Sequence, residues 1–417
     1  MSSRGTLALV LGAVAVFGAD SALGADLRAP VDLENTMVLP ARVSNPRFKM
    51  LYMNVDERLG GDGLVLPLGN RLNKPVKWSD IIAAQDDETA KNTLRGFLAA
   101  HKHGESDAAG STTGVVNTYA NVKVPVFAMG ITGRLTAAVA VPVTHVEVNA
   151  DTGFTRSAQG QAFINALAAS DPVKAKEAEL KMNDAVNRKL MRLGYKPITS
   201  MRVDHIGDVI MGGKYLAWKG SHDEIAVKGA VTLPTGKAPD ADRALDVPTG
   251  DGQLDLGTAL VWDHLFGRHF RTTVHGGYTM QVADRIDKRL PVSHEDSLSA
   301  DKENVARKLG DIVTGGASAS YLFDFGLQLS CGYAYQQKFE DQYNGGKYDP
   351  NRYRLLSFDT NQRMQAVMGG IGFNGVELYK KKKLPLPFQV NGLYSRPVEG
   401  VNVAKAELVT VEVAMFF

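Results

Sequence analysis

Between Leu327 and Gln336 the side chains sort by parity. Leu327, Leu329, Cys331, Tyr333 and Tyr335 fall on one side; Gln328, Ser330, Gly332, Ala334 and Gln336 fall on the other. A period of two is the period of a β-strand. An aliphatic face ending in aromatics, opposed to a polar face with small residues, is what lipid and a barrel lumen would each select. The same parity governs Leu135 to Thr144, where the odd positions are continuously apolar. It also governs Ile225 to Leu233, where Lys228 and Thr232 face away from Ile225, Val227, Val231 and Leu233. The alternation defines about twelve segments, near 46–58, 115–130, 135–149, 205–218, 223–234, 254–265, 269–282, 311–323, 327–339, 362–378, 386–397 and 405–417. Most reach the roughly 9–11 residues that a tilted strand needs to cross a bilayer.

The connections alternate in length. Short turns at Gly130 to Arg134, Lys219 to His222, Leu265 to Arg268 and Asp324 to Gly326 separate long connections at 59–114, 150–204, 235–253, 283–310 and 340–361. Short periplasmic turns alternating with long external loops are the rule for outer-membrane barrels, and an even strand count returns both termini to the periplasm. The turn from Tyr379 to Leu384 is longer than its neighbours, and the last external loop, Arg396 to Val403, is short. Two long loops read as helical. In 150–204, Asp171 is an N-cap with Pro172 at the first helical position, and Gly194 and Pro197 close a helix over Val173 to Leu193. In 59–114, Ser79 precedes a helical stretch from Asp80 to about Ala100. These helices either cap the barrel outside or enter its lumen.

The first residues read as an export signal. Arg4 is followed by an apolar run from Thr6 to Ala19 and then by Ser21-Ala22-Leu23-Gly24-Ala25, with cleavage expected after Gly24 or Ala25. The run is too short to span as a helix, and no other segment approaches the roughly 20 apolar residues that spanning takes. An exported chain without such helices stays soluble or enters a membrane as a closed sheet. Residues 1–24 are therefore expected as a signal peptide, 25–45 as a short periplasmic segment or plug, and 46–417 as the barrel. The last strand alternates Val409, Val411, Val413, Met415 and Phe417 with Thr410, Glu412 and Ala414. Ending on Phe417, it resembles the signal read by the barrel-assembly machinery.

Charge and cysteine content narrow the partners. A net charge of +2 gives no reason to expect nucleic acid. A single cysteine, Cys331, cannot form an intramolecular disulfide or a Cys/His metal framework.

One stretch carries a narrower resemblance. Val231-Thr232-Leu233-Pro234-Thr235-Gly236-Lys237, followed by Asp251-Gly252-Gln253-Leu254-Asp255-Leu256-Gly257-Thr258-Ala259-Leu260-Val261-Trp262, resembles barrels of the MetA-type phenol-degradation pathway family, relatives of FadL-type hydrophobic-compound transporters. The resemblance implies passage of hydrophobic, often aromatic, small molecules. In place of the substantial N-terminal hatch of the FadL type stands the short run Ala25 to Asn45, with Asn45-Pro46 followed by Arg47. No functional residue carries across.

The residues themselves offer few chemical sites. His269 and His275 share a strand face with Arg271 and Thr273, beside Asp255 and Asp263 on the neighbouring strand, but no nucleophile motif accompanies them. With Gln328 and Glu412, five of these, Asp255, Asp263, Arg271, Thr273 and His275, are the candidate lumen-facing residues. His101-Lys102-His103 with Asp86-Asp87-Glu88 would be the one place for a divalent metal, against a plainly solvated loop. Lys380 to Lys383 are expected in a periplasmic turn, meeting headgroups or solvent. Trp218, Trp262, Tyr333, Tyr335 and Phe417 are expected in the interface girdles.

The reading is an all-β, antiparallel transmembrane barrel of about twelve strands with long, partly helical external loops, resident in the outer membrane. Its function is passage of small hydrophobic or aromatic compounds, with no enzymatic activity, metal or cofactor. Outer-membrane lipid and lipopolysaccharide, the assembly machinery and a small hydrophobic molecule are its expected partners. The alternatives are a structural or surface-interaction barrel with a filled lumen, and a lipid-acting barrel enzyme.

Overall fold

The computed structural model describes residues 33–85, 87–294 and 297–417. The expected signal peptide, the start of the 25–45 segment and Asp86 lie outside them. Among the described residues, twelve strands close into one ring: β1 Ser44–Val55, β2 Ala108–Thr132, β3 Leu135–Ala140 continued by Val143–Arg156, and β4 Met201–Ile206 continued by Val209–Lys219. The remainder are β5 Asp223–Leu233, β6 Asp255–Phe266, β7 Phe270–Gln281, β8 Ile312–Leu322, β9 Leu327–Lys338, β10 Gln362–Asn374, β11 Phe388–Val401 and β12 Glu407–Met415. Each pairs antiparallel with its neighbours in sequence. β1 closes the ring by pairing with β12 (Arg47 opposite Ala414) and with β2 (Ser44 opposite Met129). The expected all-β, twelve-stranded antiparallel barrel is the observed fold.

Parity in the sequence becomes inside and outside. In β1, Asn45, Arg47, Lys49, Leu51, Met53 and Val55 are buried within the ring while Phe48 points out. In β6, Asp255, Gly257, Ala259, Val261 and Asp263 face in, and Leu256, Leu260 and Trp262 face lipid. Exposed Trp218, Trp262, Phe266, Phe270, Tyr321 and Phe325 gather near the short turns. That is the aromatic girdle of a membrane interface. Cys331 is exposed on the outer face.

Two strands break at one level. β3 stops at Val141-Pro142 because proline has no N–H to give the ladder. β4 stops at Gly207-Asp208, where Gly207 N donates to Pro142 O at 2.8 Å.

The long loops fold rather than wander. The first carries α1 Trp78–Ala83 and α2 Glu88–Ala100; the second carries α3 Ala158–Ser170, α4 Pro172–Asn183 and α5 Ala185–Arg192. Trp78, Phe97 and Phe163 pack together, with ring centroids 5.5 Å (Trp78–Phe163) and 5.0 Å (Phe97–Phe163) apart. Asp171 caps α4 as expected, accepting from Lys174 N at 3.0 Å, with Pro172 at its start.

Three local expectations change. The Val173 to Leu193 helix is two helices parted at Asp184, with a further helix ahead of them. Ser79 is not a cap: α1 begins at Trp78, and Asp87 caps α2 through Thr89 N and Ala90 N. The connections 283–310 and 340–361, read from the sequence only as long loops, carry strands of their own: Asp284–Arg289, Lys302–Lys308 and Gln342–Asn344 form a small sheet over α6 Pro350–Ser357. Its core is Leu290, Val305, Tyr343 and Tyr353. Strand β10 ends at Asn374 because the Asn374 side chain accepts from Val376 N (3.0 Å) and starts a short helix, α7 Val376–Lys380.

Candidate functional site: the lumen

The lower lumen, on the short-turn side, holds a strand of extended chain, Leu33 to Pro40. Lys214, fully buried, donates from Nζ to Asn35 O at 2.5 Å, and Lys228 pairs with Glu34. Thr36 Oγ1 shares its one proton between Glu224 (2.8 Å) and Asp263 (2.9 Å), Thr36 N donates to Asp263 (3.1 Å), and Leu39 N donates to Thr136 Oγ1 (2.7 Å). At the wall, Gly130 has no room for a side chain: a Cβ there would meet Pro40 O at 1.9 Å. Glycine is what lets the segment lie against the sheet.

Around this segment runs a buried network. Asp263, wholly buried, accepts from Thr273 Oγ1 at 2.7 Å and pairs with Arg271 at 3.4 Å; Arg271 also contacts Met37. Glu412, on β12, pairs with Arg47 (3.3 Å) and Lys49 (3.5 Å), and Asn391 Nδ2 donates to it at 3.5 Å. Buried ions need such partners, since an unpaired one costs several kcal/mol, on the order of 3–5 when a pair is broken.

The seven candidate positions occupy different levels. Asp263, Arg271, Thr273 and Glu412 join the network just described. His275 lies on the inner face of β7 over Gly316, its cross-strand neighbour. Gln328 is buried on β9, its Oε1 without a hydrogen-bond partner. Asp255 stands at the opposite, external end of its strand. His269 is not on the strand face but at the turn, its Nδ1 2.8 Å from Leu322 O. The loop residues that by type could hold a metal are otherwise engaged: Asp87 caps α2, Glu88 pairs with Lys91 at 2.5 Å, and His101 Nδ1 lies 2.9 Å from Phe97 O. Among the described residues no cluster of His, Cys, Asp and Glu is arranged to hold a metal.

Above the segment the lumen changes character. The inner face of β1 turns from Asn45, Arg47 and Lys49 to Leu51, Met53 and Val55, and packs with Val116, Val122, Val124, Ala140 and Ile210 in one apolar cluster. A cavity of about 1190 Å³ opens here, walled by Val122, Val124 and Ile210 from the barrel and roofed by Leu94, Phe163 and Leu190 from the loop helices. The helices are therefore a lid outside the barrel, while residues 33–40 fill the lumen below.

The motif segments meet at the external end of this cavity. Thr235 Oγ1 donates to Gly207 O (2.9 Å) and accepts from Val209 N (2.9 Å), bridging the break in β4. Gly236 N donates to Asp208 Oδ1 at 2.8 Å. A Cβ on Gly236 would meet Gly250 N and Thr249 O, each at 2.7 Å, so the two halves of the motif close on each other only through glycine.

Sequence reasoning missed Lys214, Glu224, Arg47 and Lys49. Their signal was present, because an isolated charge within a spanning strand must face the lumen. It also missed Asp208 and Asp251, which loop folding alone brings to the cavity.

The family model described as "Putative MetA-pathway of phenol degradation" matches residues 96–374, well over half of the chain. No curated protein matches. Among solved structures, an outer membrane channel from Pseudomonas putida F1 superposes with a TM-score of 0.52 at 11% identity, covering 93% of this chain and 100% of that one. The Pseudomonas putida toluene transporter TodX gives 0.33 at 11% identity, covering 95% and 96%. The CymD monoaromatic hydrocarbon channel gives 0.34 at 9%, covering 91% and 88%. These last two superpositions are too loose to bear on the fold.

Proposed function

The chain belongs to the family of the putative MetA-pathway of phenol degradation, and from that premise we propose that it passes small hydrophobic or aromatic compounds across the outer membrane. It is a transmembrane barrel of that membrane and not an enzyme. The observation that carries the reading is the cavity of about 1190 Å³, one side of whose barrel wall, Val116, Val122, Val124, Ala140 and Ile210, is aliphatic. Water gains little from such a wall, whereas an apolar solute gains roughly 25 cal/mol for each Å² it buries. Large, mostly apolar cavities with a few placed polar groups are the form small-molecule sites take.

A specific observation favours the structural alternative. Residues 33–40 and the ion pairs around them fill the lower lumen. Transport requires this segment to shift; a structural barrel does not. The deciding measurement is uptake at limiting concentration by cells lacking the protein. Toluene or phenol uptake falls while uptake of small polar solutes holds. Unchanged aromatic uptake favours the structural barrel.

Assembly partners belong to the same reading. Phe417 is proposed as the residue read by the barrel-assembly machinery, and the external loops as the part that meets lipopolysaccharide.

A further inference from the structure

Three aspartates come together at the external end of the cavity. Asp208 lies at the break in β4, Asp251 in the following loop and Asp255 at the start of β6, and all three line the cavity. Asp208 accepts from Gly236 N (2.8 Å) and Asp251 N (3.3 Å), and Asp251 from Gln253 N (2.7 Å). Asp255 is different: it shares a side-chain hydrogen bond with Gln281, yet its buried Oδ1 has no partner. Directly across the ladder stands Gln281, 4% exposed, whose Oε1 is likewise without one. Gln336, 3% exposed and lining the same cavity, is a third such case.

The cations close by are committed. Arg307 donates to Asp284 (2.9 and 2.6 Å) and to Asp251 O (2.8 Å), and Lys338 pairs with Asp341. Burial lifts the Asp251 carboxyl above its usual range, as expected where negative charge is incompletely compensated. A buried acceptor left unmade costs roughly 1–3 kcal/mol. One residue away across the sheet the wall is apolar again: Thr232 separates Asp255 from Ile210.

We propose that this end of the cavity receives the hydrogen-bond-donating head of an otherwise apolar molecule, with Asp255 and Gln281 as the acceptors. The inference rests on the transport reading and sharpens it to a substrate class: an aliphatic or aromatic body ending in a hydroxyl or ammonium. A carboxylate head brings no proton to these acceptors. A bare hydrocarbon gains the wall but leaves the acceptors unmade.

The test uses the full mature protein in nanodiscs, with empty nanodiscs subtracted, and four probes: 4-octylphenol, octylamine, octylbenzene and octanoate. The phenol or the amine, or both, binds about tenfold or more tightly than octylbenzene, the equivalent of one charge-assisted hydrogen bond; octanoate binds most weakly. A gain for octylphenol alone assigns a neutral hydroxyl; a gain for octylamine alone assigns an ammonium. In Asp255→Leu and in Gln281→Met, each checked for heat-modifiable gel migration as a sign of folding, the gap to octylbenzene closes. Octylbenzene binding as well as either donor, or a gap that persists in both variants, overturns the head-group inference and leaves transport standing. No binding of any probe overturns both.

Discussion

Lys214 and Lys228 are almost wholly buried at membrane depth, yet neither is an anomaly. Inside a closed sheet a charge has two directions available, lipid or lumen, and only the lumen holds partners. Both lysines reach the same eight-residue segment, so the segment is held by ions as much as by packing. Asp263 is the residue on which most of these contacts converge, serving Thr36, Thr273 and Arg271 together. Replacing Asp263 with Ala removes the carboxylate shared by Arg271, Thr273 and Thr36 and costs about 3–5 kcal/mol of stability. It also loosens the segment, so ion conductance in planar bilayers rises. By contrast, Lys219→Ala removes a 2.9 Å pair to Glu224 from a lysine that is 62% exposed, and its cost is under about 1 kcal/mol. Urea unfolding followed by gel mobility separates the two. An Asp263→Ala barrel as stable and as tight as wild type removes the latch.

At the scale of the strand, side-chain facing follows from parity, but depth does not. Leu329 and Leu260 both point to lipid, at 45% and 55% exposure. Leu329 is the third residue of β9, beside the turn, whereas Leu260 is midway along β6. The cost of a lipid-facing arginine is roughly 2–4 kcal/mol at the midplane and falls to about 0–1 near the interface. Leu260→Arg therefore carries the large penalty and Leu329→Arg the small one, measured by folding into lipid vesicles under denaturant. Equal penalties would move the bilayer along the barrel. The strands were legible because a transmembrane strand must alternate over its whole crossing. The helix boundaries in the loops were less so: Ser79 and Asp87 are both good caps by type, but only Asp87 caps a helix, and Ser79 falls inside one that begins at Trp78.

For the whole molecule the critical seam is the one between the two ends of the chain. β1 and β12 are far apart in sequence, and their pairing removes the last open edges of the sheet. An open edge in hydrocarbon leaves backbone groups unsatisfied, so closure is all or none. Phe417 is part of that seam, since Phe417 N donates to Ser44 O (3.0 Å) and Ser44 N to Phe417 O (2.9 Å). Deleting Phe417 lowers the yield of heat-modifiable, folded barrel in the outer membrane several-fold. A normal yield would show that neither the seam nor the assembly signal depends on it.

The sequence by itself determined the class of fold, its strand count and which face of each strand meets lipid, because these depend on local alternation and on loop length. It also held the motif from Leu233 to Gly257, though not what that motif surrounds. Only the tertiary structure decided what lies inside the ring. That Leu33 to Pro40 fills the lower lumen, that the lumen turns apolar at Leu51 and Val122, and that Asp208, Asp251 and Asp255 meet at one end of a cavity all depend on contacts between residues distant in sequence. Parity says only that a residue faces inward. What it faces there is set by strand register, by the break at Pro142 and Gly207, and by the folding of loops across the mouth.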